Sequence, residues 1–241
     1  MFEFIPVKTR VVMPPKDEVW DILDSLKLEE GDIVFITSKI MAIHQGRCVP
    51  SDGVKKKDLF PGEASHLLSY VNYRGTTINL TLIDNNLMAS AGIDASNANG
   101  HYILWPKDID KLCREMREYL LKKNNIKKLG VISTDTRSQV LRQGVTGFAI
   151  GLSGIKPLKD LRGEKDIFGR ELKVTRVNRV DALSSMAVLI MGEAAEQTPV
   201  LILRGYENIE FCGSATINDI KSSPENDTFK PLLDCFEGKE I

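Results

Sequence analysis

The sequence lacks the features that mark several common classes of protein. Its 241 residues carry 32 Lys and Arg against 33 Asp and Glu, so there is no excess positive charge to attract nucleic acid. Its apolar runs reach only about five residues, far short of the roughly 20 that a membrane-spanning helix needs. The first residues lack the apolar segment and cleavage site of a secretory signal. We therefore expect a cytoplasmic protein that binds neither nucleic acid nor membrane.

Cysteine and histidine are also sparse. Neither a Cys-x-x-Cys pair nor a histidine at zinc spacing is present, which predicts reduced, mostly buried thiols. The three histidines are scattered, a pattern more typical of structural than of catalytic roles. The residues concerned are Cys48, Cys113, Cys212, Cys235, His44, His66 and His101.

Familiar catalytic and nucleotide-binding patterns are missing too. The chain has no Ser-His-Asp order, no G-x-x-x-x-G-K-[ST] loop and no G-x-G-x-x-G turn. Tandem repeats and low-complexity segments are also absent. Any active site must therefore be identified from less regular groups of polar residues.

Periodicity predicts irregularly interleaved strands and helices, which favours the α+β class. The predicted strands are two short pieces in 3–13 broken by Pro6, a buried strand in 32–43, a hairpin of 76–84 and 87–94 turning at "DNN", and strands at 128–134, 147–155 and 200–205. The predicted helices follow Pro15 up to Gly31 and occupy 64–70, 109–125, 181–191 and 229–236. The glycines of "GFAIGLSGI" predict a close approach of the backbone to a neighbouring element.

Four polar clusters interrupt these apolar segments. They are "TSK" at Thr37 to Lys39, "GIDASN" at Gly92 to Asn97, "STDT" at Ser133 to Thr136 and "MGEAAE" at Met191 to Glu196. Three of them contain an acid beside small residues at the predicted end of an element. Taken singly, these acids also fit ordinary structural roles: Asp94 in a turn, Asp135 in an Asx turn at a strand end, and Glu193 at a solvated helix terminus.

The three acids acquire a chemical meaning if they converge. Two bare carboxylates about 4 Å apart repel by roughly 4 kcal/mol at an effective dielectric constant near 20, and a bound cation removes that cost. Carboxylate and hydroxyl oxygens suit Mg²⁺ or Mn²⁺, which share their remaining coordination positions with water and phosphates. From composition and spacing alone, metal-assisted chemistry is therefore one possibility beside the structural ones.

The order of the motifs resembles the coenzyme F-420:gamma-glutamyl ligase family. The motifs are "GDIVFITSK", "QGR", "AGIDASN", "GVISTDT", "GVTGFAIGLSGIKPLKDLRGEKDIFGREL" and "MGE" before "VLILRG", so the resemblance covers most of 1–205. It implies an α+β fold of two intimately joined lobes, with 1–126 and 210–241 in the larger lobe and 127–209 in the smaller. It also implies an intertwined homodimer.

The chemistry that the resemblance implies is nucleotide-dependent amide formation. GTP, or ATP, would activate a carboxylate of an anionic heterocyclic acceptor as an acyl phosphate, and the amine of L-glutamate would displace phosphate. The acceptor would be a coenzyme F-420 precursor or a folate. Two divalent cations, Mg²⁺ or Mn²⁺, would bridge protein and nucleotide. Two other hypotheses remain open: a nucleotide-binding relative without ligase activity, and a metal-dependent phosphohydrolase.

The resemblance also assigns residues to roles. Asp94 and Asp135 would hold one cation, and Thr136 and Glu193 the second. Asp135, Thr136 and Arg142 are the candidate catalytic residues; for Arg142 a clamp for phosphate or carboxylate and an ordinary surface ion pair are both open. The nucleotide would contact Thr37, Ser38 and Asn97, and its pocket would be walled by Val11, Val12, Met13, Pro14, Met191, Gly192, Ala194, Ala195 and Glu196.

Several positions depart from the family pattern. Ile43 stands where a lysine is expected near the nucleotide, and Ala194 and Ala195 replace glycines. The segment Arg137, Ser138, Gln139 replaces an aromatic residue or Asn followed by Gly-Arg. These changes leave the predicted metal ligands intact and indicate an altered nucleotide or acceptor preference.

Overall fold

The computed structural model describes residues 1–73 and 76–234. Its strands are β1 (Glu3–Val7), β2 (Ile33–Thr37), β3 (Cys48–Pro50), β4 (His66–Tyr73), β5 (Thr76–Ile83), β6 (Asn86–Ala89), β7 (His101–Ile103), β8 (Gly130–Ser138), β9 (Val145–Ile155), β10 (Leu158–Asp160), β11 (Arg176–Asn178), β12 (Val200–Arg204) and β13 (Phe211–Cys212). Its helices are α1 (Trp20–Ser25), α2 (Ser38–His44), α3 (Phe60–Glu63), α4 (Ile109–Asn124), α5 (Arg179–Met191) and α6 (Lys230–Leu233). The fold is α+β, as the sequence predicts.

A six-stranded mixed sheet forms the centre of the fold. Its order is β1-β12-β2-β8-β9-β13, and β2 and β8 are parallel neighbours in an otherwise antiparallel arrangement. Three smaller sheets, β4-β5-β6, β3-β7 and β10-β11, surround it. The parallel pair matters for function because the carboxyl ends of β2 and β8 meet at one edge.

Both faces of the central sheet are covered by apolar side chains. Along β2, Val34 and Ile36 belong to the core on the face that packs against α1 and α4, whereas Ile33 and Phe35 belong to the core on the α5 face. This period of two places successive side chains on opposite faces. A strand buried on both faces reads as a continuous apolar run, which is why β2 is evident from the sequence.

Several elements are confirmed closely. The β5-β6 hairpin turns at Asp84 and Asn85, which both have positive φ, as a two-residue loop in a twisted hairpin requires. Helices α4 and α5 and strand β12 also lie where the sequence predicts them. The close approach at the glycines of β9 is confirmed, since a Cβ on Gly147 would lie 2.6 Å from the Ser184 carbonyl oxygen and one on Gly151 2.6 Å from Ile109.

The N-terminal third differs from the prediction in three places. Pro6 does not break a strand but lies within β1, where it is tolerated because β1 is at the sheet edge. No second strand follows, and α1 ends at Ser25 well before Gly31. The predicted strand over 32–43 is wrong in its second half, because the chain turns into helix α2 at Ser38.

Further corrections concern 64–70 and the chain end. The predicted helix at 64–70 is wrong, since β4 begins at His66 and pairs with β5. Of the predicted helix at 229–236, the structure confirms only the single turn α6 (Lys230–Leu233), and 235 and 236 lie outside the described residues. Among the cysteines, Cys113 is buried and unpaired, Cys48 and Cys212 are half-buried and unpaired, and Cys235 lies outside the described residues.

In the described residues, no helix is long and apolar enough to cross a membrane. The division into two lobes stays a prediction. Strands β1 and β2 of the proposed larger lobe hydrogen-bond with β12 and β8 of the proposed smaller lobe in one sheet.

Candidate active site

A cavity of about 560 Å³ opens beside the carboxyl ends of β2 and β8. All four polar clusters found in the sequence contribute to its wall: Thr37 to Lys39, Gly92 with Asp94 and Asn97, Thr134 to Thr136, and Met191 to Glu196. These segments are separated by up to about 150 positions along the chain, and the fold brings them to one place. None of the three histidines lines this cavity.

The register of the parallel pair places the first polar contact. Thr37 on β2 lies opposite Thr134 on β8, so the next residues of each segment, Ser38 and Asp135, are neighbours. The Ser38 hydroxyl donates to the Asp135 carboxylate at 2.8 Å. The sequence predicts a strand end at Asp135. This is wrong, because β8 continues to Ser138 through its pairing with β9.

Asp135 lies in an unfavourable electrostatic environment for a carboxylate. Burial raises its pKa to about 6, and the negative charges of Asp94 and Glu193 add to this effect. Hydrogen bonds from Ser38 and from the Thr136 backbone N–H, at 2.7 Å, act in the opposite direction. Asp94, Asp135 and Glu193 all line the same cavity, so the three acids face a common space.

Asp94 is held by a local turn and by a cation. Its carboxylate accepts hydrogen bonds from the Ser96 N–H at 2.7 Å and the Ser96 hydroxyl at 3.0 Å, and Lys39 Nζ lies 2.7 Å from its Oδ2. Burial works to raise the pKa of Asp94, but the contacts with Lys39 and Ser96 outweigh it and lower the pKa. Asp94 is therefore ionised and already partly neutralised.

Glu193 lies in the segment that follows α5. The Thr136 hydroxyl donates to its carboxylate at 3.3 Å. Burial raises the pKa of Glu193, with further increases from the charges of Asp94 and Glu196, while Thr136 and Lys39 lower it. Gly192 permits this placement, because its φ is +82° and a Cβ there would lie 2.3 Å from the Glu196 side chain.

Two hydrogen bonds connect the loops that wall the cavity. The Asn97 amide donates to the Ala194 carbonyl at 2.8 Å, which joins the turn containing Asp94 to the segment after α5. The Thr9 N–H donates to the Gln197 carbonyl at 3.0 Å, which joins that segment to the loop after β1. The alanines at 194 and 195 both line the cavity.

One side of the wall is apolar. Val12, Ile43 and Trp105 are buried beside it, and Val11 and Met13 are exposed. Gly92 has φ +63°, and a Cβ there would lie 2.4 Å from the Trp105 ring, so only glycine lets the ring pack so closely against the backbone. The cavity thus has one acidic end and one apolar side.

Two cavity-lining residues have no predicted role in the sequence. Lys39 belongs to the quoted "TSK" cluster, and its position at the start of α2 directs it to Asp94. Arg10 binds Asp17 and Asp21 through four hydrogen bonds and so fixes the loop that contains Val11 to Met13. An arginine followed by two acids at positions 17 and 21 is the only sequence signal for this network.

Two predicted site residues are not brought to the cavity. Arg142 is exposed in the turn between β8 and β9, so its predicted role as a clamp has no geometric support within this chain. Pro14 is buried behind the wall, although Val11, Val12 and Met13 line it. Of the unusual residues after Thr136, Arg137 packs over the Phe148 ring at 4.4 Å, and Ser138 and Gln139 are exposed.

The arrangement offers oxygen donors to a hard cation. Asp94, Asp135, Glu193 and the Thr136 hydroxyl are the types of ligand that Mg²⁺ and Mn²⁺ bind. Within the described part of the chain, no three His, Cys, Asp or Glu side chains are close enough to complete a metal site by themselves. Any cation here would take further ligands from a bound substrate and water.

An α+β fold that gathers three carboxylates in one cavity is typical of an enzyme active site. A family model described as F420-0:gamma-glutamyl ligase matches residues 6–205, and the chain belongs to this family of ligases. The chain is 34% identical to a coenzyme F420:L-glutamate ligase of Methanopyrus kandleri, covering 95% of this chain and 96% of that protein. It is 31% identical to the protein of the same name from Archaeoglobus fulgidus, over 96% and 97% of the two chains.

Proposed function

We propose that this chain is a nucleotide- and divalent-metal-dependent gamma-glutamyl ligase. It adds L-glutamate to a carboxylate of an anionic heterocyclic acceptor, either a coenzyme F420 precursor or a folate. The observation that supports this proposal most strongly is the convergence of Asp94, Asp135, Thr136 and Glu193 on one cavity in a member of the ligase family.

The donor set fits two divalent cations. Asp94 and Asp135 would hold one, and Thr136 and Glu193 the other, as the motif resemblance predicts. When bound, the cations would neutralise the charge that spreads over the phosphate oxygens during transfer. Burial raises the pKa of both Asp135 and Glu193, and the charges of the neighbouring acids raise it further, so a bound cation would relieve an unfavourable grouping of carboxylates.

The nucleotide, GTP or ATP, would lie along the cavity with its phosphates at the acidic end. The cavity volume of about 560 Å³ is within the usual range for a small-molecule site. The residues in reach of the nucleotide are Thr37, Ser38 and Asn97, with Val11 to Met13 and Met191 to Glu196 as walls. Ile43 makes part of this wall apolar, at a position where the family pattern has a lysine.

The proposed reaction has two displacements. An oxygen of the acceptor carboxylate attacks the terminal phosphorus of the nucleotide, and the nucleoside diphosphate leaves. The amine of L-glutamate then attacks the acyl carbon of the acyl phosphate, loses a proton, and inorganic phosphate leaves with the former carboxylate oxygen. The chain's contribution is to position the reactants and to keep water from the acyl phosphate.

A mass-gain assay tests this function. Purified protein is incubated with L-glutamate, Mg²⁺ or Mn²⁺, GTP or ATP, and either acceptor, and the acceptor is analysed by mass spectrometry. We expect the mass of one glutamyl residue to be added to one acceptor class, with release of one phosphate per glutamate. No product with either acceptor, while a known ligase works in parallel, would contradict the proposal.

Calorimetry with the nucleotide, together with a phosphate-release assay, separates the other two functions. Metal-dependent nucleotide binding without glutamate-dependent phosphate release would indicate a binding protein. Phosphate release that is indifferent to glutamate and acceptor would indicate a phosphohydrolase.

A further inference from the structure

We propose that Lys39 is a built-in counter-ion of the acidic cluster, which both positions Asp94 and makes the cluster of carboxylates stable when no metal is bound. No role for this residue follows from the family motifs described above. The inference concerns the folded protein and does not depend on ligase turnover.

All three N–H donors of the Lys39 ammonium group have partners. Its Nζ donates to the Ser96 carbonyl at 2.9 Å and the Ser96 hydroxyl at 3.0 Å, and lies 2.7 Å from Asp94 Oδ2. A lysine has three N–H donors, so these three partners account for all of them. Lys39 thereby fastens the turn containing Asp94 and Ser96 to the start of α2.

The charge of Lys39 reaches beyond this turn. Glu193 lines the same cavity, and the charge of Lys39 opposes the rise in its pKa that burial causes, although the two side chains share no hydrogen bond among the described contacts. Lys56 is a second cation in range of Asp94, and Glu196 adds negative charge beside Glu193. Of the two lysines near the cluster, Lys39 and Lys56, only Lys39 makes an ion pair with a described residue of the cluster.

The remaining capacity of Asp94 fits a dual role. Its carboxylate has about four acceptor positions, and the Ser96 N–H, the Ser96 hydroxyl and Lys39 occupy three. One position, on Oδ1, stays available to an incoming cation. Lys39 can therefore keep Asp94 in place before and after a metal binds.

A double-mutant cycle in EDTA tests the counter-ion role without any metal. Lys39→Met removes the charge at similar length, and we expect the Tm to fall by roughly 4 to 10 °C. Glu193→Gln removes one of the repelling carboxylates. If Lys39 neutralises the cluster, the fall in Tm caused by Lys39→Met should be at least a third smaller in the Glu193→Gln protein than in the unchanged protein. The reason is that the Glu193→Gln protein has less negative charge to compensate.

Two controls separate charge from other effects of the substitution. Lys39→Arg keeps the charge, and its Tm should fall much less than that of Lys39→Met. Lys156→Met makes the same chemical change at an exposed lysine that pairs with Glu210 away from the cavity, and should change the Tm by less than about 2 °C. A purely structural tie to Ser96 would give the same loss in both Glu193 backgrounds, and this additivity would overturn the proposal. So would a Lys39→Met variant as stable as the original protein.

A Mn²⁺ titration distinguishes this inference from the proposed function. We expect Mn²⁺ to raise the Tm of Lys39→Met by more than it raises that of the unchanged protein, because the cation replaces the missing ammonium. With a non-hydrolysable GTP analogue present to complete the coordination, a Tm that ignores Mn²⁺ in both proteins would contradict the metal site of the proposed function. The result of the EDTA cycle would still decide the role of Lys39.

Discussion

Asp135 lies in the middle of β8, and its carboxylate is positioned by groups from distant segments: the Ser38 hydroxyl and the charges of Asp94 and Glu193. Its own neighbours in the sequence identify it as a candidate, because an acid after an apolar strand is unusual. They do not reveal that β8 continues past it or that burial raises its pKa to about 6. Lys39 is the complementary case, in which a residue in a recognised motif acquires its role only from the contact with Asp94.

Replacing Asp135 tests the residue-scale account. We expect Asp135→Asn to lower turnover at least about 100-fold and to weaken Mn²⁺ binding, since it removes a charge that faces the transferring phosphate. The fold should persist, because Asn has nearly the same volume and burial already disfavours the charged carboxylate. Steady-state kinetics, calorimetry with Mn²⁺ and circular dichroism measure the three quantities.

The matched control is Asp52→Asn, an identical change at an exposed residue outside the cavity. It should leave turnover and Mn²⁺ affinity unchanged. Full activity in Asp135→Asn would remove Asp135 from the proposed mechanism.

At the scale of elements, the sequence identifies strongly periodic segments and fails where two periods fit equally well. Helix α4 is amphipathic and is predicted correctly, with buried Leu112 and Met116 at helical spacing. The segment from Ile40 to Ile43 is apolar at every position, because α2 is buried on nearly all sides. Such a run matches a buried strand as well as a buried helix, so periodicity alone could not place the helix start at Ser38.

The cap of α5 allows a test at this scale. The Asp181 N–H donates to the Asn178 side chain at 3.1 Å, and Asp181 in turn accepts from the Ala149 N–H at 3.0 Å. We expect Asn178→Ala to lower the free energy of unfolding by about 1 kcal/mol, the usual cost of a lost helix cap. Urea titration measures it, and Asn226→Ala, in an exposed turn, should change it by less than about 0.5 kcal/mol. Equal effects from both variants would contradict the capping role.

The two-stranded β10-β11 arm, residues 158–178, gives a prediction for how stability depends on pH. Arg162 binds Asp160 through its side chain and backbone N–H groups, which lowers the pKa of Asp160 to about 2. Because the folded pKa lies below the unfolded value, this contribution to stability is present above about pH 4 and is lost as the pH falls toward 2. NMR titration of the carboxyl should give this low midpoint.

A neighbouring arginine supplies the control for that titration. Arg162→Ala should return the pKa of Asp160 toward its ordinary value, whereas Arg170→Ala, on the same arm, should leave it near 2. A midpoint near 4 in the unchanged protein would show that the contact is not formed in solution.

At the scale of the whole molecule, the site is assembled from six segments at 9–13, 37–43, 92–99, 103–106, 134–136 and 188–199. Four of these contain polar clusters that are evident in the sequence. Their meeting depends on the register of the parallel pair, in which Thr37 faces Thr134, and on the return of the chain after α5. No local pattern encodes that register, so the sequence supplies the candidates and only the fold supplies their convergence.

The homodimer that the resemblance implies is also a whole-molecule prediction. The loop between β10 and β11 exposes Ile167 and Phe168, at 92% and 89% of their surface, which is unusual for large apolar side chains. We expect analytical ultracentrifugation to give twice the mass of one chain, and the double change Ile167→Ser with Phe168→Ser to shift it to the monomer. Leu141→Ser, an equally exposed position in another turn, should leave the dimer intact. A monomer for the unchanged protein would contradict the prediction.

The central claim is that Asp94, Asp135, Thr136 and Glu193 hold divalent cations against the phosphates of a nucleotide. Crystals grown with Mn²⁺ and a non-hydrolysable GTP analogue test it directly through anomalous scattering at the manganese absorption edge. We predict one peak within coordination distance of Asp94 and Asp135 and a second beside Thr136 and Glu193, both touching phosphate oxygens. Manganese peaks elsewhere, with nucleotide bound away from this cavity, would contradict the account.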